Sequence, residues 1–169
     1  MKRHGSIGLL PSGRFLVGME GHRLNDHLRF IIPSDFYEGR AIQKRILEEV
    51  EKHHFHDDAL FAIKLALEEA LINAIKHGNK EDRHKKVRIA CLVTDTEAEI
   101  IIEDEGPGFE RSHVPDPTSD ENLERLHGRG ILLMEAYMHV IEWSNNGRKV
   151  RMVRRNEKPA TTGDNGLGN

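Results

Sequence analysis

An internal disulfide is closed to this chain, because it holds a single cysteine, Cys91. The same scarcity excludes a zinc site built from several cysteines, so stability has to come from packing. No apolar run approaches the roughly 18 residues of a membrane span, and Met1 to Gly21 lacks the continuous apolar stretch of a secretory signal. A soluble, cytoplasmic protein that meets no membrane is expected. Nor is there an excess of positive charge: Lys+Arg 25 against Asp+Glu 28 gives a net charge of -3, which removes the global electrostatic reason for contact with nucleic acid. What remains is 169 residues, 37% hydrophobic and 31% charged, the size and balance of one well-solvated folded domain.

The texture along the chain divides it into three parts. Residues 1–25 mix five glycines and Pro11 with scattered charge and read as a flexible extension; residues 26–156 carry the folded domain, and 157–169 form a glycine-rich, disordered tail. Within the domain, Leu28 to Ile32 form a strand stopped by Pro33, and Ser34 or Asp35 caps a helix whose apolar positions, Ile42, Ile46, Leu47 and Val50, recur at helical spacing. A second helix, Ala59 to His77, is apolar around most of its circumference and is expected to be largely buried, with Gly78 as its C-terminal cap. Val87, Ile89, Cys91 and Val93 alternate as a strand, and Glu97 to Asp104 make its antiparallel partner. A polar, proline-bearing stretch, Glu110 to His127, suits a mobile loop; a helix from Ile131 to Met138 and two further strands, Val140 to Trp143 and Val150 to Arg154, complete the pattern. These elements predict an α+β two-layer sandwich, a mixed and mostly antiparallel sheet with helices on one face.

Three groups of residues stand out chemically. Glu69, Asn73 and His77 interrupt the buried helix at i, i+4 and i+8 and so share one face; they either satisfy loop backbone groups or hold a ligand. Asp104-Glu105-Gly106-Pro107-Gly108 follows directly on Ile100 to Ile102, placing a carboxylate at a strand end and glycines where backbone can approach a ligand closely. Gly128-Arg129-Gly130 precedes a helix, whose N-terminal amides favour phosphate. Each of the last two, taken singly, is also compatible with an ordinary turn. His53, His54 and His56 beside Asp57 and Asp58 read as a solvated helix end, since adjacent residues converge poorly on a metal. Arg148, Lys149, Arg151, Arg154 and Arg155 read as a solvated sheet edge, and Trp143 as core.

Together and in this order, the three groups resemble the nucleotide site of the GHKL ATPase superfamily. Glu69-x-x-x-Asn73-x-x-x-His77-Gly78 is similar to its N box, Asp104-x-Gly106-x-Gly108-Phe109 to its first glycine box, and Gly128-x-Gly130 to its second. The wording of the N box, from Leu67 to Gly78, and the run Gly130 to Met134 resemble most the bacterial anti-sigma factor serine/threonine kinases, over about His27 to Arg154. The resemblance implies a histidine-kinase-like ATPase fold, ATP and Mg²⁺ as cofactors, Glu69 as general base and Asn73 as metal ligand. Asp104 would accept from the adenine amino group, with Gly106 and Gly108 shaping the base pocket. Gly128, Arg129 and Gly130 would hold phosphates beneath a closing lid, Glu110 to His127, and His77 belongs to the same cofactor-binding set. Arg125 either touches the terminal phosphate or is a solvated lid residue. Implied partners are an anti-anti-sigma antagonist, a sigma factor and a second copy of the chain. Related kinases often carry a threonine in the final strand, where this chain has Gly147, Arg148 and Lys149, and His127 and Arg129 make the second glycine box more basic than usual. An ATP-binding module without kinase activity and a stand-alone catalytic module of a histidine kinase are the alternatives.

Overall fold

The computed structural model describes residues 27–108 and 129–157, with Arg129 described in its backbone alone. The expectations for the N-terminal extension, the C-terminal tail beyond Glu157, the lid, Arg125 and Gly128 lie outside the described residues. The described elements run in the order β1 (His27–Pro33), α1 (Phe36–Lys52), α2 (Asp57–Ile72), a π-helical turn (Asn73–Gly78), β2 (Lys86–Val93), β3 (Glu97–Asp104), α3 (Arg129–Tyr137), β4 (Val140–Ser144) and β5 (Lys149–Arg155). The five strands form one sheet in the order β1-β2-β3-β5-β4, and every pairing between neighbours is antiparallel.

The two periodicities read from the sequence account for the layers. Along β2, Val87, Ile89, Cys91 and Val93 are buried, and along β3, Ala98, Ile100 and Ile102 are buried. Successive side chains on a strand point to opposite faces, so these positions line the face that the helices cover. Asp104 is the next position in the same alternation, and it too is buried. The period of two thus aims a carboxylate toward the helices. On their side, α1 contributes Ile42, Ile46 and Val50, α2 contributes Ile63, Leu67 and Leu71, and α3 contributes Ile131 and Met134. Burying each of these large aliphatic side chains contributes about 1.5–3 kcal/mol. Trp143 lies partly buried against this core.

The start of α1 follows the expected chemistry. Asp35 is the N-cap of α1; its side chain accepts from Tyr37 N at 2.9 Å and Glu38 N at 3.2 Å, satisfying two of the helix's otherwise unpaired donors.

Three details depart from the expectations. First, α2 gives way to a π-helical turn at Asn73, whose i→i+5 pattern is carried into the exit by Asn79 N donating to Ala74 O at 2.9 Å. Gly78 is not a left-handed cap: among the described glycines, positive φ occurs at Gly108 and Gly147. Second, β5 is an interior strand between β3 and β4, so its arginines do not form a sheet edge. Arg151 pairs with Glu99 and Glu142, and Arg154 with Asp58. Third, Phe61 on α2 is exposed and meets Tyr137 of α3 edge-on at 5.8 Å between ring centroids.

One buried amide fastens the exit of the helix to the sheet. Asn79 is fully buried; its Nδ2 donates to Ser34 Oγ at 2.6 Å and Lys86 O at 2.9 Å, and its Oδ1 accepts from Glu105 N at 2.8 Å. The junction of β1 with α1, the start of β2 and the end of β3 therefore meet on one side chain. Asn79→Ala leaves these buried partners unsatisfied and is expected to lower the unfolding free energy by about 2–3 kcal/mol. Urea unfolding followed by circular dichroism measures it.

Candidate functional site

The site gathers where the helix end meets the end of β3. A Cβ on Gly78 would overlap the carboxylate of Asp104, and a Cβ on Gly106 would overlap the backbone carbonyl of Gly78. Glycine is required at 106, because backbone stands where its Cβ would be, whatever the φ; at 78 the absent side chain leaves the space that the Asp104 carboxylate fills. Gly108 differs: it takes φ 82°, and a Cβ there would strike the carbonyl of Asn146 in the β4–β5 turn. The turn after β3 is thus held against the helix at Gly106 and against the neighbouring hairpin at Gly108.

Asp104 sits inside this close contact. Its Oδ1 accepts from Gly106 N at 2.7 Å, and its backbone N donates to Arg148 O at 3.0 Å. Burial pushes its carboxyl above the ordinary carboxylate range, against the opposing pull of the Gly106 N–H and of Arg148. The following residue behaves oppositely. Glu105 accepts from Lys86 N at 2.8 Å and pairs with Arg88 at 2.8 Å, and the Lys86 N–H, ahead of Arg88, holds its carboxyl below the usual value.

Glu69 and Asn73 lie one α-helical turn apart, with the Asn73 backbone N–H returning to Glu69 O. Glu69 is half-buried, and burial, then its neighbour Glu68, raises its carboxyl above the ordinary value. Glu68 itself is exposed. The Glu69 carboxylate reaches α3: a Cβ on Gly130 would overlap its Oε2. Asn73 Nδ2 is buried and has no hydrogen-bond partner. Since rotating an amide by 180° exchanges its nitrogen and oxygen, this position presents an uncommitted polar atom of either kind. His77 lies in the π-helical turn, half-buried beside Gly78. The wider turn takes it off the line through Glu69 and Asn73 that a continuous α-helix would give.

The structure therefore brings Glu69, one turn before Asn73, against Gly130, and Asp104 against Gly78 and Gly106, with Gly108 bracing the turn. Arg129 opens α3. The sequence reading missed Asn79 and the bracing contact of Asn146 on Gly108; an asparagine after a helix-ending glycine, or in a hairpin turn, carries no separate signal.

A model of the histidine kinase-like ATPase domain matches residues 33–154. The anti-sigma F factor of Oceanobacillus iheyensis is 37% identical over 110 residues, 62% of this chain and 75% of that protein. The chain belongs to the GHKL family of histidine kinase-like ATPases, in the branch of the anti-sigma factor kinases. The serine-protein kinase RsbW of Bacillus subtilis, in the same branch, is 32% identical over 97 residues, 53% of this chain and 59% of that protein. A solved structure of the RsbU and RsbW domains of a Mycobacterium tuberculosis protein superimposes with a TM-score of 0.54 at 14% identity, over 79% of this chain and 33% of that one. That likeness is one of fold. The α+β sandwich is the GHKL ATPase fold, and among the described residues no helix is long and apolar enough to cross a membrane.

The buried carboxyl of Asp104 yields a prediction with a fixed sign. A folded-state pKa raised above the unfolded value means that ionisation in the native state costs stability once the pH exceeds the unfolded value, and the whole cost is present above the folded value. Asp104→Asn removes that charge while keeping an acceptor for Gly106 N–H. The ligand-free variant is expected to melt at or above the wild-type temperature at pH 8, and below the unfolded-state carboxylate range, near pH 3, this advantage should vanish. Differential scanning calorimetry at the two pH values checks it.

Proposed function

We propose that the protein is an ATP-Mg²⁺-dependent serine/threonine kinase and anti-sigma factor, phosphorylating an anti-anti-sigma antagonist and, when that antagonist is unavailable, holding a sigma factor. The observation that carries this reading is the seating of two carboxylates against glycines of the three motifs, Asp104 at Gly78 and Glu69 at Gly130. Asp104 lies in the glycine contact at the end of β3, and Glu69 lies against the first turn of α3. A nucleotide laid between them has its base at the first and its terminal phosphate at the second. The names of the relatives, an anti-sigma F factor and a serine-protein kinase, agree with that assignment.

Each residue then has one task. Asp104 accepts from the adenine amino group, which guanine does not offer, and Gly106 and Gly108 leave room for the base. Asn73, whose buried amide the fold leaves unpaired, would hold Mg²⁺, a cation that takes oxygen ligands and is commonly shared with substrate phosphates. When bound, the ion offsets phosphate charge. The backbone of Gly128, Arg129 and Gly130 donates to the phosphates, the lid from Glu110 to His127 covers them, and Arg125 touches the terminal phosphate; His77, beside Gly78, belongs to the cofactor-binding set. Glu69 takes the proton of the incoming serine or threonine hydroxyl as its oxygen bonds to the terminal phosphorus; the bond to ADP breaks, and ADP leaves with the electron pair. The protein acts in the cytoplasm as a homodimer on protein partners rather than on nucleic acid. The folded unit is taken as 26–156, with 1–25 and 157–169 outside it.

The raised carboxyl of Glu69 sets the expected pH dependence. A base works only when deprotonated, so phosphotransfer falls as pH drops through the Glu69 pKa. Because that pKa is raised, the acid limb should lie above the ordinary glutamate value of about 4.3. Glu69→Gln is expected to keep ATP affinity, to lower the transfer rate by about 10² to 10⁴, and to abolish this limb. The assay supplies labelled ATP and a serine-bearing antagonist from the same genome. A product stable in acid and labile in base supports a phosphoserine or phosphothreonine; an acid-labile product would make the protein a histidine-kinase module instead. ATP binding with no labelling of a confirmed partner would leave a non-catalytic ATP switch.

A further inference from the structure

The contact between Glu69 and Gly130 joins two motifs that lie 61 positions apart in the chain, and it points to a task for Gly130 besides that of its backbone. A glycine in the first turn of a helix is a costly choice, since alanine there loses less conformational entropy on folding. Gly130 is buried, and α3 is nine residues long with its apolar positions Ile131 and Met134 turned into the core. Nothing in its backbone requires glycine, because positive φ among the described glycines is confined to Gly108 and Gly147. What the missing side chain leaves is space, and that space is filled: a Cβ on Gly130 would overlap Glu69 Oε2 and lie 3.1 Å from its Cδ.

We infer that Gly130 is a positioning residue for the proposed general base: its absent side chain forms a slot that seats the Glu69 carboxylate against the start of α3. The inference rests on the kinase reading for its consequence and on the geometry alone for the slot itself. Seated there, the carboxylate is withdrawn from water, in keeping with burial as the first cause of its raised pKa. It is also held beside the turn whose amides are assigned to the phosphates, where a base must stand to meet an incoming hydroxyl. The position of Glu69 is thereby linked to the placement of α3, so docking of that helix and seating of the base form one event. Asp104 repeats the device with Gly78.

Gly130→Ala tests this. Only the far end of a flexible side chain occupies the place of the new methyl, so Glu69 moves away and the helix keeps its fold; the thermal midpoint should not fall. The first measurement is a ¹³C NMR titration of the Glu69 carboxyl, assigned by its loss in Glu69→Gln, in ligand-free wild type and Gly130→Ala. The expected result is a midpoint that drops toward about 4.3 in the alanine variant as the carboxyl enters water. An unchanged midpoint overturns the slot, whatever the thermal midpoint. The second measurement is a double-mutant cycle on phosphotransfer, with Mg²⁺-ATP affinity measured alongside. Gly130→Ala should slow transfer by about tenfold to a hundredfold, as misplacement of a reacting group does. ATP affinity should stay within about twofold, because the backbone donor is retained, and no further loss should appear in the Glu69→Gln background. An equal loss in that background, or a parallel loss of ATP affinity, overturns the positioning role. Should wild type transfer no phosphate at all, the kinase reading falls, and the titration alone decides the slot.

Discussion

Two backbone segments in this protein must approach more closely than a β-carbon allows. The carbonyl of Gly78 closes the π-helical turn and rests where Gly106 would carry its Cβ; the Asp104 carboxylate rests where Gly78 would carry its own. The backbone of Gly78 demands glycine at 106, the bare Cα of Gly78 gives the carboxylate its space, and Asn79 holds the contact shut by bonding the junction before α1, the start of β2 and the end of β3 at once. The buried acid is therefore a product of backbone proximity. The alternation of β3 aims it inward, the glycines admit it, and the Asn79 amide keeps the wall in place. Without that contact, Asp104 would be one more charged residue at the end of a strand.

The same logic orders the rest of the site. Among the described carboxylic acids, Asp104 and Glu69 have their pKa raised chiefly by burial, and each is seated where a glycine lacks a side chain. Glu105, adjacent to Asp104 and turned to solvent-facing partners, is held low by Lys86 N–H and Arg88. Direction along the strand decides the outcome. Between the two raised acids, the unpaired amide of Asn73 marks hydrogen-bonding capacity that the fold does not consume, which is what a metal ligand requires. A protein that buries one acid, half-buries another and leaves an amide unpaired gives up stability at the site and recovers it in the aliphatic core behind it.

Much of this was legible because it rests on periodicity. The strand at Val87 to Val93 alternates, the β-branched run in Glu97 to Asp104 marks its antiparallel partner, the apolar positions of α1 recur at helical spacing, and Asp35 caps α1 as its residue type suggests. The candidate residues were legible as three motifs in order. What was not legible depends on which segments touch. A glycine in a sequence does not reveal whether it serves a left-handed φ, as Gly108 does, or a close contact, as Gly78 and Gly130 do. The π-helical turn at Asn73 has no residue signature, and it displaces His77 from the line that regular spacing gives. Strand order is not written in local pattern either, so a basic strand that looked like an edge lies inside the sheet with Arg151 and Arg154 paired. Phe61, apolar in composition, is exposed because α2 turns that side away from the sheet.

On the proposed function, the uncommitted amide of Asn73 belongs to a Mg²⁺-nucleotide site. Its most direct test is a calorimetric titration of ATP into wild type and Asn73→Ala, each with and without Mg²⁺, on proteins whose circular dichroism spectra and thermal midpoints match. Wild type is expected to bind ATP in a Mg²⁺-dependent manner, and Asn73→Ala to lose that dependence together with most of the affinity. Unchanged affinity and unchanged Mg²⁺ dependence in the variant would contradict it.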